Sequence, residues 1–280
     1  MHVGRPTRTE GEHREGADAW PAGFAGLGFA VALLVAALFA AVVAGVASAL
    51  GATDGQGTGA TLVATLLQDA AFVGAAVWLA TLVGRPRAAD FGLRAAPLRR
   101  AIAWTVGAGA AFYAFMAVYS ALLGAEGEQD TLDSLGVDEG TALLVAGGLL
   151  VIVVAPFAEE LLFRGFMYRS LRNRYSVVVS TLIIGVIFGA IHYDGADTVE
   201  LLPVLAVLGA VFCILYERTG SLYPAIALHA VNNAIAFAVT ADASGAQVVA
   251  GGALVIALAL CLVLPAVRRG GGPVVQVPPI

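Results

Sequence analysis

Residues 141–174 read TALLVAGGLLVIVVAPFAEELLFRGFMYRSLRNR. The stretch opens on an uninterrupted apolar run and sets two acids side by side, Glu159 and Glu160. Arg164 follows one helical turn later, and the stretch closes on Arg169, Arg172 and Arg174. An apolar run of this length is what a membrane-spanning helix needs. Ionisable groups inside such a run are expensive and usually mark a working site. One segment therefore announces both a membrane protein and a candidate reaction centre.

The rest of the chain repeats the first half of that pattern. With 59% hydrophobic and 12% charged residues, it is too apolar for an ordinary soluble domain. The apolar residues fall in long runs that do not alternate, which excludes a membrane β-barrel. Eight spans are expected, near 23–50, 60–83, 101–124, 141–168, 176–192, 201–216, 221–240 and 247–266. The fold class is all-α, a polytopic protein of about eight transmembrane helices. The polar first twenty residues do not resemble a secretory signal peptide.

The arginines test the span count. Arg5, Arg8 and Arg14 precede the first span, and Arg85, Arg87, Arg94, Arg99 and Arg100 fill the loop between the second and third. Arg169, Arg172 and Arg174 follow the fourth, Arg218 the sixth, and Arg268 and Arg269 the eighth. The alternate loops carry only acids: Asp54, Glu126, Glu128, Asp130, Asp133, Asp138, Glu139, Asp194, Asp197, Glu200 and Asp242. By the positive-inside rule both termini are cytoplasmic. Every basic residue is Arg, which we read as genome-level composition of the high-GC prokaryotic kind and not as a functional signal. The expected location is a prokaryotic cell membrane, with the lipid bilayer as partner and no nucleic acid. Cys213 and Cys261 both lie in apolar runs and suggest neither a disulfide framework nor a Cys metal motif.

Of the four histidines, His2 and His13 lie in the polar N-terminal tail, while His192 and His229 sit in apolar segments. On the fourth span Glu160 and Arg164 are at i,i+4, in the favoured order for an ion pair. Glu159 is rotated by about 100° from Glu160 and is left free for another task. Pro156 just before the pair is expected to kink the helix and free backbone carbonyls near the site. On the fifth span Phe188 and His192 are at i,i+4, so the phenylalanine walls the face from which His192 projects. On the seventh, His229 and Asn233 share a face and Asn232 points elsewhere. Counting residues from the turn near Asn173 puts Glu159 and His192 at similar depth. Asp69, in the second span, reads as a packed polar group paired with a neighbouring helix.

The set Glu-Glu-x-x-x-Arg, Phe-x-x-x-His and His-x-x-x-Asn, in order on membrane helices, resembles the CPBP family. That family holds CAAX prenyl proteases of the Rce1 type and bacteriocin-processing or immunity (Abi) proteins. The resemblance covers roughly residues 140–240. The division it implies is a polar cytoplasmic tail (1–20), three transmembrane helices without family motif (21–139), and a protease core (140–240). A last helix with a disordered tail follows (241–280). It implies an intramembrane endopeptidase acting on a membrane-associated peptide or protein. Glu159 would activate water, helped by His192, and His229 and Asn233 would donate to the oxyanion. Arg164 would hold Glu160 and the local helix. Site chemistry agrees, since preorganised donors are the strongest way to stabilise an oxyanion.

Two other readings compete. Glu159, His192 and His229 could hold a zinc ion with an open position for water. No His-Glu-x-x-His helix is present, however, and Asn233 is better explained as an oxyanion donor, so a cofactor-free glutamate mechanism is expected. The buried acids and histidines could also relay protons in a transporter, but no inverted repeat is evident. A non-catalytic immunity or scaffold protein is the third class, against which the intact motifs argue.

Overall fold

The structure is a computed structural model that describes residues 20–51, 58–123, 135–241 and 243–269. His2, His13, both tails and the loop acids Asp54, Glu126, Glu128, Asp130, Asp133 and Asp242 lie outside the described residues. Eight long helices make up the described chain: α1 (Gly23–Ala49), α2 (Thr58–Thr81), α3 (Leu98–Leu123), α4 (Thr141–Arg172), α5 (Val177–Ala190), α6 (Leu202–Thr219), α7 (Tyr223–Thr240) and α8 (Ala246–Arg269). Short 3-10 turns at Ala88–Phe91, Val137–Glu139 and Ala196–Thr198 join some of them, and no strand occurs among the described residues. The protein is an all-helical polytopic membrane protein.

Six of the helices are long and apolar enough to cross a membrane: α1, α2, α3, α4, α6 and α8. The other two carry site residues. α5 is apolar but has only 14 residues, about 21 Å at the α-helical rise, short of a hydrocarbon core of about 30 Å. α7 is interrupted by His229, Asn232 and Asn233.

Close helix packing follows from small residues. α1 turns Ala25, Gly28, Ala32 and Ala36 inward, and α2 meets it with Ala71, Ala75, Ala76 and Ala80. With no apolar driving force between helices in lipid, such stripes allow the dispersion contacts that hold them. α5 and α6 approach more closely still. A Cβ on Gly185 would stand 2.7 Å from the Ala206 carbonyl oxygen, and one on Gly189 2.6 Å from that of Leu202.

Contacts at the two ends confirm the alternation of the helices. At the arginine-bearing end the Trp20 ring packs on Phe91 (4.9 Å) and Phe166 (5.0 Å), and its carbonyl accepts from Asn173 Nδ2 at 2.7 Å. There too Arg94 Nε donates to the Gly220 carbonyl and Ser221 Oγ to that of Arg94, both at 2.6 Å. At the opposite end Tyr119 donates to the Glu200 carbonyl (3.0 Å) and Gln247 Nε2 to that of Ala238 (3.1 Å).

Candidate active site

Glu159 and Glu160 occupy a short α-helical insert in α4, Ala155–Glu160, between wider π-wound stretches at Leu150–Val154 and Leu161–Tyr168. Such local π winding occurs frequently at functional sites. Pro156 explains part of it. In an i→i+5 winding the Val151 carbonyl faces residue 156, which has no N–H to give. The carbonyl is satisfied from another helix, by Asn233 Nδ2 at 2.8 Å. Freed backbone thus ties α7 to α4 about two turns before the acids.

Glu160 and Arg164 form the ion pair expected from their spacing, at 2.8 Å and with both side chains fully buried. Arg164 also donates to the Gly209 carbonyl of α6 (2.8 Å). Its guanidinium lies over the rings of Phe188 (4.5 Å) and Phe212 (4.9 Å). A planar cation that bonds in its plane and stacks on its faces is what this box accommodates, and a lysine would not.

Glu160 has a second partner that helical spacing does not reveal. His229 Nδ1 lies 3.0 Å from the same oxygen, Oε1. The ring of His229 is stacked on Phe212 at 4.9 Å and meets Phe188 edge-on at 5.7 Å. Its orientation is therefore fixed, and Nε2 points toward Glu159, 3.9 Å from Oε2. That distance is too long for a hydrogen bond, and Oε2 is buried with no hydrogen-bond partner among the described residues. The Glu159 side chain keeps 13% of its surface exposed. Glu160 Oε2 is likewise buried without a partner among the described residues, so the two adjacent acids are separated by the ion pairs on Glu160 Oε1 and by the residual exposure of Glu159.

His192 lies just past the end of α5. A carbonyl can only accept, so the 2.7 Å contact between Nδ1 and the Phe188 carbonyl fixes the proton on Nδ1 and leaves Nε2 free. The ring packs on Phe188 at 4.8 Å. Phe188, fully buried, is thus the common wall of His192, His229 and Arg164. The structure brings Glu159, Glu160, Arg164 and His229 into one cluster, joins His192 to it through this ring, and sets Asn233 a turn away on α7.

Two expectations are corrected. Asn232 does not point away from the site's polar network: its Nδ2 donates to Asn233 Oδ1 and its Oδ1 accepts from Tyr113, both at 3.4 Å. The helical-face reasoning missed this because a long amide side chain reaches its neighbour around the helix. Asp69 is not paired with a neighbouring helix. It is only 2% exposed, and neither carboxylate oxygen has a hydrogen-bond partner among the described residues.

Among the described residues no three His, Cys, Asp or Glu side chains are gathered as metal ligands would be.

Comparison with known proteins supports the same segment. Residues 141–235 match the family described as type II CAAX prenyl endopeptidase Rce1-like, in agreement with the CPBP resemblance of the three motifs. The chain is 30% identical over 99 residues to the uncharacterized protein YyaK of Bacillus subtilis (strain 168), a match covering 32% of this chain and 32% of that protein. No solved structure matches. The matched segment is the one that carries Glu159, His192, His229 and Asn233.

Proposed function

We propose that the protein is an intramembrane endopeptidase that hydrolyses a peptide bond of a membrane-associated peptide or protein, with Glu159 as general base. The carrying observation is the division of labour between the two acids. Arg164 and His229 both pair with Glu160 Oε1 in a fully buried box, while Glu159 has His229 Nε2 no nearer than 3.9 Å and keeps 13% of its side chain exposed.

The steps follow from the donors. Glu159 takes a proton from water, whose oxygen adds to the peptide carbonyl, and His192 Nε2 helps to hold that water. Charge develops on the carbonyl oxygen. Asn233 spends one N–H on Val151 and has a second to give. His229, when protonated, donates from both ring nitrogens, to Glu160 and to the oxyanion. The intermediate collapses with cleavage of the carbon–nitrogen bond, and the amine leaves with a proton. Neither a metal nor a cofactor enters this scheme. Both termini face the cytoplasm in this reading, because the arginines gather at one end of the bundle.

The test is cleavage of a panel of membrane-tethered peptides by purified protein in liposomes, with metal content measured in parallel. Wild type is expected to cleave with or without a strong chelator. Glu159→Gln is expected to lose 10²–10⁴-fold, the usual contribution of a general base. Full activity in Glu159→Gln refutes the assignment. Loss in chelator with recovery on zinc refutes the metal-free mechanism.

A further inference from the structure

α2 lies outside the segment that matches the family, yet it packs directly on the site. The Phe72 ring meets that of Phe163 on α4 edge-on at 6.4 Å. The alternation of the helices makes α2 and α4 run in the same direction. Three residues before Phe72 is Asp69; three and four before Phe163 are Glu160 and Glu159. The same step along two parallel helices brings Asp69 to the level of the two glutamates. Burial to 2% agrees with a place inside the bundle.

The surroundings separate the three acids. Glu160 has two cationic or potentially cationic partners, Arg164 at 2.8 Å and His229 at 3.0 Å. Glu159 has His229 Nε2 at 3.9 Å. Asp69 has none among the described residues, where its oxygens make no hydrogen bond. Neighbouring carboxylates in a low-dielectric site do not all ionise, and the proton stays on the one with no cation. A pair of acids in unequal surroundings supplies one acid and one base.

We propose that Asp69 is a further catalytic residue, the general acid that protonates the leaving amine, while Glu159 is the base. This rests on the peptidase reading of the preceding subsection. As the carbon–nitrogen bond breaks, its electron pair stays on nitrogen and takes the Asp69 proton. The Asp69 carboxylate then regains a proton from Glu159, which had taken one from water. Water has then given its hydroxyl to the acyl group and its proton to the amine, and both carboxyl groups are restored.

The amine needs a proton to leave and an alkoxide needs it far less, so the test compares a membrane-tethered peptide with the ester of the same sequence. Asp69→Asn is expected to lower peptide cleavage about 10²-fold or more while ester cleavage stays near wild type. Asp69→Glu is expected to restore part of the peptide activity. Equal loss on both substrates makes Asp69 structural and overturns the proposal, as does no loss on either. Glu159→Gln serves as control and is expected to lose both; if it loses neither, the failure belongs to the peptidase reading. Infrared difference spectra of the purified protein need no substrate. The C=O stretch of a protonated carboxyl is expected to vanish in Asp69→Asn and persist in Glu159→Gln, and the reverse overturns the proposal.

Discussion

Replacing Arg164 by methionine separates what the buried pair does for stability from what it does for the site. In Arg164→Met the Glu160 carboxylate stays fully buried and keeps only His229 as partner. Breaking a buried pair from one side costs about 3–5 kcal/mol. The Gly209 carbonyl also loses its donor, a further loss of about 1–3 kcal/mol. The double variant Glu160→Leu/Arg164→Met removes both charges, so it is expected to be more stable than Arg164→Met but still about 2–6 kcal/mol below wild type, because the Gly209 carbonyl and the His229 Nδ1–H have each lost a partner. Its activity is not expected to return. His229 has lost the acceptor that orients its ring, and loss of an orienting partner typically costs about 10–100-fold. The assay is reversible denaturation in mixed micelles alongside peptide cleavage. A single variant that costs under about 1 kcal/mol refutes the burial reasoning. A double variant with wild-type activity refutes the orienting role of Glu160.

Other substitutions test other contacts. Asn233→Ala is expected to lower turnover about 10²-fold or more, as loss of an oxyanion donor does. It should also destabilise by about 1–3 kcal/mol, because it strips the Val151 carbonyl of its partner; cleavage rates and denaturation check the two effects. Asn232→Ala and Tyr113→Phe remove only contacts of 3.4 Å and are expected to cost less than about 10-fold in activity, since such long bonds are weak. Gly189→Ala drives a methyl against the Leu202 carbonyl at 2.6 Å. It should destabilise by about 1–3 kcal/mol and lower activity by moving Phe188 and His192 away from α6, which denaturation and cleavage report together.

The helices were legible because lipid leaves little choice: an apolar run long enough to span must satisfy its own backbone, and only a helix does so within one segment. The Glu160–Arg164 pair was legible because i,i+4 contact is local. The partner choice of His229 was not. Its contact with Glu160 joins residues 69 positions apart, and helix-face reasoning says nothing about which helix lies opposite. The same limit hid Asp69. A lone acid in an apolar run reads as a packing residue until the helix beside it is known, and here that helix carries Glu159. The shortness of α5 was blurred because the apolar run 176–192 continues past the helix end at Ala190.

That shortness bears on the chemistry. A helix long enough to span would carry its C-terminus to the far surface, and a histidine beyond it would meet water and the acidic loop. α5 stops earlier, and its last turn lies against α6, where Gly189 meets the Leu202 carbonyl and Phe188 packs on Gly209. Phe188 in turn stacks on Arg164, so the ion pair on α4 fixes the depth at which His192 stands. The site's one buried guanidinium therefore does two things. It neutralises the acid that holds His229, and it anchors the wall that positions His192. Of the clustered residues Glu159 alone makes no ion pair of hydrogen-bonding length, the freedom that the proposed general base needs.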